Sequence, residues 1–179
     1  MKKQFRVVDL SYMAICAALI AICSWISIPA AVPFTLQTFA VFCVLGLRGG
    51  NRGPISILVY MLLGAIGLPV FTGFNAGLGA LLGTTGGYIL GFVFIGLIYW
   101  LAEKLFGTKL WVRVTAMLLG LLVCYAFGTA WFMFLYARRT GPIALGTALG
   151  WCVFPFLIPD LVKMCLAVML SGRLRKVVQ

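Results

Sequence analysis

Long apolar stretches without a single charge are the feature that most constrains the fold of this chain. Neither 10–28 nor 114–135 contains a charged residue. Both reach the roughly 17–25 residues with which a helix crosses a bilayer. Only 9% of the 179 residues are charged, against about a quarter in soluble domains, and the mean hydropathy is +1.15. A soluble globular fold is therefore excluded, and we expect an integral membrane protein.

The apolar stretches predict an all-α membrane protein, a bundle of six transmembrane helices in a single integral membrane domain over residues 1–179. The predicted helices cover about 10–28, 34–47, 54–71, 86–101, 114–135 and 155–170. The second is short for a full crossing. The apolar segment 143–170 is too long for one crossing and contains Pro155 and Pro159, so we expect a short helix, a break and then the sixth helix.

Groups of basic residues lie between the apolar stretches and at both ends of the chain. The formal net charge of +11 would otherwise suggest nucleic acid, but these groups do not form a continuous basic surface. They match the positive-inside rule with both termini in the cytoplasm. The predicted inner groups are Lys2, Lys3 and Arg6; Arg48 and Arg52; Lys104, Lys109 and Arg113; and Arg173, Arg175 and Lys176. Arg138 and Arg139 fall in a predicted outer connection, which the rule does not explain.

The scarcity of ionisable residues excludes most catalytic chemistry. The chain has no histidine and only three acids, so it lacks a Ser-His-Asp set, a carboxylate pair and a histidine-rich metal site. Its six cysteines form no CxxC pair, and no Walker motif is present. We expect a protein that is not an enzyme, with no catalytic residues and no metal site. Asp9 and Glu103, beside basic segments, are expected to be incidental.

Asp160 and Lys163 are the strongest functional signal in the sequence. They are three residues apart, on one face if helical, and no other charge lies between Arg139 and Arg173. An ionisable residue inside a membrane span is costly and by default marks function. The alternative is a helix cap after Pro159 combined with a self-compensating ion pair.

Small residues mark two further positions. Glycines at 79, 83, 87 and 91 recur every four residues and would share one helix face, which serves close helix packing or borders a ligand cavity. Asn75 is the one amide in this glycine-rich stretch and is either a turn residue or a ligand contact. In the first helix, Ala14 and Ala18 form a smooth face for another helix.

Four sequence blocks carry a resemblance to a known family. They are VPFTLQTF at 32–39, LLGAIGLPVF at 62–71, GLGALLGTTGGY at 77–88 and PDLVK at 159–163. In this order and spacing the chain resembles, over nearly its whole length, the BioY family, the biotin-binding S components of energy-coupling factor (ECF) vitamin transporters. The first three blocks are long and specific. The family motif often reads Pro-Gly-Asp, whereas this chain has Ile158-Pro159-Asp160.

The resemblance implies a function and partners. It implies a six-helix fold and high-affinity capture of biotin near the outer face, as a multi-pass protein of the cytoplasmic membrane of a prokaryote. It implies a complex with a transmembrane coupling protein, contacted by Ala14 and Ala18, and two cytoplasmic ATPases. Biotin is the transported ligand, and no cofactor is implied. An S component for a different vitamin and a stand-alone biotin carrier stay open as alternatives.

The resemblance also assigns biotin-binding residues to positions in this chain. These are Asn75, Tyr88, Asp160 and Lys163. Apart from the resemblance, loop placement makes Phe34, Tyr88 and Trp151 candidates for the wall around the apolar part of the ligand, and Gln37 is a further candidate. Asp160 is expected to accept from the ureido N–H groups, and Lys163 to donate to the ureido carbonyl. The opposite pose places the biotin carboxylate on Lys163, where Asp160 would repel it, and is ranked second.

Overall fold

The computed structural model describes residues 7–29 and 32–178, and side chains as far as residue 175. Lys2, Lys3 and Arg6, and the side chain of Lys176, lie outside this part. The fold is mostly helical. The elements are α1 (Val7–Trp25), β1 (Ser27–Ile28), β2 (Phe34–Thr35), α2 (Gln37–Ala65), a 3₁₀ turn (Thr72–Phe74), α3 (Gly77–Leu81), α4 (Gly86–Phe106), α5 (Leu110–Arg139), α6 (Leu145–Cys152) and α7 (Phe154–Val178).

Four segments of the described chain are long and apolar enough to cross a membrane. They are Val7–Trp25, Gly86–Phe106, Leu110–Arg139 and Leu145–Arg175. The last segment comprises α6 and α7, which meet at Val153. The chain is therefore a multi-pass membrane protein.

The helix α2 is a hairpin of two antiparallel helices rather than one rod. At Gly49 the backbone leaves the helical conformation, with φ 69° and ψ −179°. Gln37 Nε2 donates to the Tyr60 hydroxyl at 2.7 Å, although 23 residues of straight helix would separate these positions by about 35 Å. The halves, 37–48 and 50–65, replace the predicted helices 34–47 and 54–71. The turn is tighter than predicted because glycine alone readily adopts this conformation.

The helix ends nearest the predicted outer loops differ from the prediction. α1 ends at Trp25, not near Ile28, because Ser27 and Ile28 pair with β2 in an antiparallel ladder. The second half of α2 ends at Ala65, not near residue 71, because residues 66–71 fold back over it. The Phe71 ring then occupies the space beside Gly64, where a side chain would overlap it. The Ser24 hydroxyl donates to the Val70 carbonyl at 2.6 Å and holds this segment to α1.

Glycines let α4 and α5 pack closely, but not as predicted. The four glycines do not share one helix face, because the chain breaks between α3 and α4 and places Gly83 in the break. Gly87 and Gly91 lie on α4, where a Cβ would overlap side chains of α5. In the other direction, Gly128 of α5 lies against the ring of Tyr88 on α4. The spacing thus serves close helix approach at the α4–α5 contact.

Two acids expected to be incidental are structural. Asp9 is buried and accepts from Arg52 Nη2 at 2.7 Å and from Arg48 Nη2 at 3.4 Å. Glu103 Oε2 accepts from the backbone N–H of Gly50 at 2.6 Å. The expectation was wrong because both carboxylates hold the turn of α2, one from α1 and the other from α4.

Buried Arg113 adds to this polar end of the bundle. Its Nε donates to the Tyr99 hydroxyl at 3.0 Å, and its Nη2 donates to the Gly46 carbonyl at 3.1 Å. A buried guanidinium is tolerated only where such partners satisfy it. The basic residues next to the α2 turn therefore form one structured end, which we call the basic end.

Candidate ligand-binding site

A cavity of about 280 Å³ lies among α2, α4, α5 and α7, toward the end of the bundle opposite the basic end. Its volume is close to the lower limit of typical ligand pockets, roughly 300 Å³. Much of its wall is apolar and comes from Phe71, Ile89, Phe92, Leu121 and Phe156. Such a wall suits a ligand with an apolar body and few polar groups.

The buried part of the cavity is closed by an ion pair on α7. Lys163 Nζ lies 2.8 Å from Asp160 Oδ1, and the two residues are 6% and 3% exposed. They are three residues apart on the helix, so both side chains leave the same face. The pair is held by further hydrogen bonds, which is the condition under which buried charges persist in proteins.

Asp160 keeps part of its hydrogen-bonding capacity free. Its Oδ1 accepts from Lys163 and from the Thr38 hydroxyl, the latter at 2.9 Å, and its Oδ2 accepts from the Tyr125 hydroxyl at 2.6 Å. An ionised carboxylate accepts about four hydrogen bonds. One position on Oδ2 therefore remains for a donor in the cavity.

Lys163, in contrast, already uses its three N–H donors. Besides the bond to Asp160, Nζ donates to the Thr35 carbonyl at 2.6 Å and to the Thr38 hydroxyl at 3.3 Å. Nζ also lies 4.0 Å from the centroid of the Phe34 ring, a favourable position for a cation. The lysine holds α7 to β2 and α2, and its longest bond is the one a ligand would exchange most easily.

The structure brings most of the predicted site residues to this cavity. Asp160, Lys163, Gln37, Tyr88 and Asn75 all line it. The Gln37 amide nitrogen donates to Tyr60, and the Tyr88 hydroxyl is 3.0 Å from that of Thr129. The Asn75 amide nitrogen donates to the Thr72 carbonyl at 2.7 Å. Asn75 is therefore both a turn residue and a cavity residue.

Two predicted wall residues lie elsewhere. Phe34 does not line the cavity itself; its ring stacks on Phe156, with centroids 6.0 Å apart, and lies under Lys163. Trp151 is 43% exposed and packs edge-on against Tyr136. The next residue, Cys152, is the one that lines the cavity. The eight-residue helix α6 thus turns Trp151 away from the cavity.

Thr38, Tyr125 and Arg139 are among the cavity residues that were not selected from the sequence. Thr38 and Tyr125 hold the Asp160 carboxylate, but a hydroxyl in an apolar helix gives little sequence signal. Arg139 also lines the cavity. The sequence did give a reason to consider Arg139, because it is a cation in a predicted outer connection, which the positive-inside rule did not explain.

Comparison with known proteins gives consistent matches over the whole chain. The sequence model of the BioY family matches residues 1–179. The probable biotin transporter BioY of Pyrococcus horikoshii is 38% identical over 168 residues, which are 93% of this chain and 96% of that protein. The biotin transporter BioY of Thermotoga maritima is 36% identical over 160 residues, 89% of this chain and 90% of that protein.

A solved structure matches the fold. The crystal structure of the S-component for biotin from an ECF-type ABC transporter superposes with a TM-score of 0.82 and 31% sequence identity. The match covers 98% of this chain and 95% of that one.

Proposed function

This chain belongs to the BioY family, and we propose that it captures biotin with high affinity and mediates its uptake across the cytoplasmic membrane of a prokaryote. Its relatives are named biotin transporters, and its fold neighbour is an S-component for biotin. The observation that carries the proposal is the buried Asp160–Lys163 pair in a cavity with apolar walls.

The ureido ring of biotin complements the buried part of the cavity. The ring has N–H donors and one carbonyl acceptor, and the free position on Asp160 Oδ2 takes an N–H. Lys163 reaches the carbonyl by exchanging its 3.3 Å contact with Thr38. Asn75 and Gln37 add amide oxygens at the same cavity. A hydrogen bond to a charged group contributes about 1.5–3 kcal/mol.

Six crossings with both termini in the cytoplasm are the proposed topology. Four apolar segments and the two halves of α2 provide the six helices. The turn of α2, the start of α1 and the α4–α5 connection meet at the basic end, where Arg48, Arg52 and Arg113 lie. The positive-inside rule assigns such an end to the cytoplasm.

The proposed partners are a transmembrane coupling protein and two cytoplasmic ATPases, which supply the energy for uptake. The relevant surface on this chain is α1, where Ala14 and Ala18 are both exposed and one turn apart. Small side chains at this spacing permit the backbone of a partner helix to approach closely. The ECF class of the fold neighbour supports this assignment.

Calorimetric titration of the purified protein in detergent tests the function. We expect saturable biotin binding that excess thiamine, riboflavin or lipoate does not displace. Asp160→Asn should weaken it roughly tenfold or more. Asp9→Asn is the matched control, because it alters an ion-paired acid at the basic end. Displacement by another of these vitamins would instead favour an S component for that vitamin.

Uptake experiments separate the proposed complex from a stand-alone carrier. Cells that express this chain with and without the coupling protein and ATPases are given labelled biotin. We expect rapid accumulation only when all components are present. Equal uptake without the ATPases would contradict the energised complex while leaving biotin capture intact.

A further inference from the structure

The cavity has a second polar end, formed by Arg139. Among the described residues that line the cavity, the charged ones are Asp160, Lys163 and Arg139. The first two neutralise each other at 2.8 Å. Arg139 is exposed and makes no hydrogen bond, ion pair or ring contact with any residue in 7–29 or 32–178. The cavity therefore presents one uncompensated cation, at its exposed end.

The neighbouring Arg138 shows that a place at the end of α5 does not by itself put an uncompensated cation at the cavity. Both arginines belong to the last turn of α5, where any cation interacts favourably with the helix dipole. The Arg138 guanidinium, however, lies 4.3 Å from the centroid of the Phe134 ring and is not part of the cavity wall. Only Arg139 combines the helix-end charge with access to the cavity.

We infer that Arg139 binds the ionised carboxylate at the end of the biotin valeryl chain and so fixes the direction in which the ligand lies. This inference rests on the proposed function. The ureido ring then lies against Asp160, and the acid end lies at the exposed end of the cavity. A guanidinium suits this task because its planar fork matches a carboxylate.

Lys163 is unsuited to bind the carboxylate. Only the donor that contacts Thr38 at 3.3 Å is readily exchanged, which supplies the single N–H that a neutral ureido carbonyl needs but not the paired donors that suit a carboxylate. A carboxylate at Nζ would also lie within a few ångströms of Asp160 Oδ1, and two like charges at that distance repel strongly in a buried site. The pose with the acid at the exposed end avoids both costs.

The two polar ends of the cavity are ordered along α5. Tyr125, which contacts Asp160, and Arg139 are fourteen residues apart on α5, about 21 Å of helix rise. Arg139 therefore lies toward the C-terminal end of α5, on the side of the cavity away from the carboxylate that Tyr125 holds.

Comparison of biotin with biotinamide, in which an uncharged amide replaces the carboxylate, tests the inference. Dissociation constants are measured for the wild type, Arg139→Gln, Arg139→Lys and, as the matched control, Arg138→Gln. We expect the wild type and Arg138→Gln to prefer biotin by roughly tenfold. Arg139→Gln should lose this preference, because it should bind biotin more weakly than the wild type does and bind biotinamide as tightly as the wild type does. Arg139→Lys should retain part of it.

The outcomes distinguish this inference from the function on which it rests. If the wild type binds biotin and Arg139→Gln keeps the full preference over biotinamide, the assignment of Arg139 is overturned and biotin capture stands. If the wild type binds neither compound, the proposed function fails and the inference fails with it. Unchanged biotinamide binding by Arg139→Gln also shows that the variant is folded.

Discussion

The Tyr125 hydroxyl donates a hydrogen bond of 2.6 Å to Oδ2 of Asp160 and ties the middle of α5 to α7. Because Asp160 Oδ1 is already occupied by Thr38 and Lys163, the tyrosine bond decides where the remaining acceptor position of Oδ2 points. Tyr125 is thus a positioning residue for the carboxylate that we expect to bind the ureido ring.

Removing this hydroxyl should weaken biotin binding without unfolding the protein. Tyr125→Phe keeps the ring and deletes the donor. We expect the dissociation constant to rise roughly three- to tenfold, in line with about 0.5–1.5 kcal/mol for one hydrogen bond. The dissociation constant is measured by calorimetric titration with biotin. Tyr136→Phe is the control on the same helix, because Tyr136 contacts Phe132 and Trp151 through its ring. Equal affinity in both variants would show that the hydroxyl does not orient the carboxylate.

Removing one partner of the Asp160–Lys163 ion pair should destabilise the protein more than removing both partners. Lys163→Met leaves the buried Asp160 carboxylate without its cation, which costs about 3–5 kcal/mol. We expect a large drop in the melting temperature in detergent. The double variant Asp160→Leu with Lys163→Met should recover at least half of the loss while binding no biotin. A double variant as unstable as the single one would refute this account.

A second ion pair provides the comparison for this experiment. Arg52 also forms a 2.7 Å pair with a buried carboxylate, Asp9, but the arginine side chain is more exposed than Lys163, and Arg48 remains beside Asp9. Arg52→Met should therefore cost only about 0–1 kcal/mol. The contrast separates the effect of burial from the effect of losing any ion pair.

Four membrane-spanning segments were predictable because the bilayer imposes a length and an apolar composition on each of them. The turn of α2 was less predictable. Glycines stand at 49, 50 and 53, and which of them turns the chain depends on contacts from other helices. The Glu103 carboxylate accepts the Gly50 N–H, a relation across 53 residues that no local pattern encodes.

The candidate site was predictable where charge made it conspicuous. Asp160 and Lys163 stand out because charge is rare inside membrane spans, whereas the hydroxyls of Thr38 and Tyr125 resemble ordinary residues of apolar helices. Trp151 was misplaced for another reason. The sequence of the short helix α6 does not determine its rotation, and the structure turns Cys152 rather than Trp151 toward the cavity.

The conformation of Gly49 should be intolerant of a side chain. Its φ of 69° with ψ of −179° is a region that essentially only glycine occupies, and another residue there costs on the order of 1–3 kcal/mol. A Cβ would also lie 3.2 Å from Glu103 Oε2. We therefore expect Gly49→Ala to lower the melting temperature of the purified protein.

The control for Gly49 is a glycine in open space. At Gly150, in α6, nothing lies within 4 Å of an added Cβ, and φ is not positive. Gly150→Ala should leave the melting temperature unchanged or raise it slightly, since alanine is favoured by about 0.5–1 kcal/mol inside helices. Equal losses in the two variants would show that the tight turn is not the source of the effect.

The exposed small residues of α1 should be required for assembly but not for biotin binding. Leucine at Ala14 and Ala18 would keep a partner helix from approaching closely, while both side chains lie outside the cavity. Ala126 and Ala130 on α5 are also exposed and four residues apart, so their leucine variants are a matched control. We expect all variants to bind biotin with unchanged affinity, and only the α1 variants to lose co-purification with the coupling protein. Loss in the α5 variants instead would move the docking face from α1 to α5.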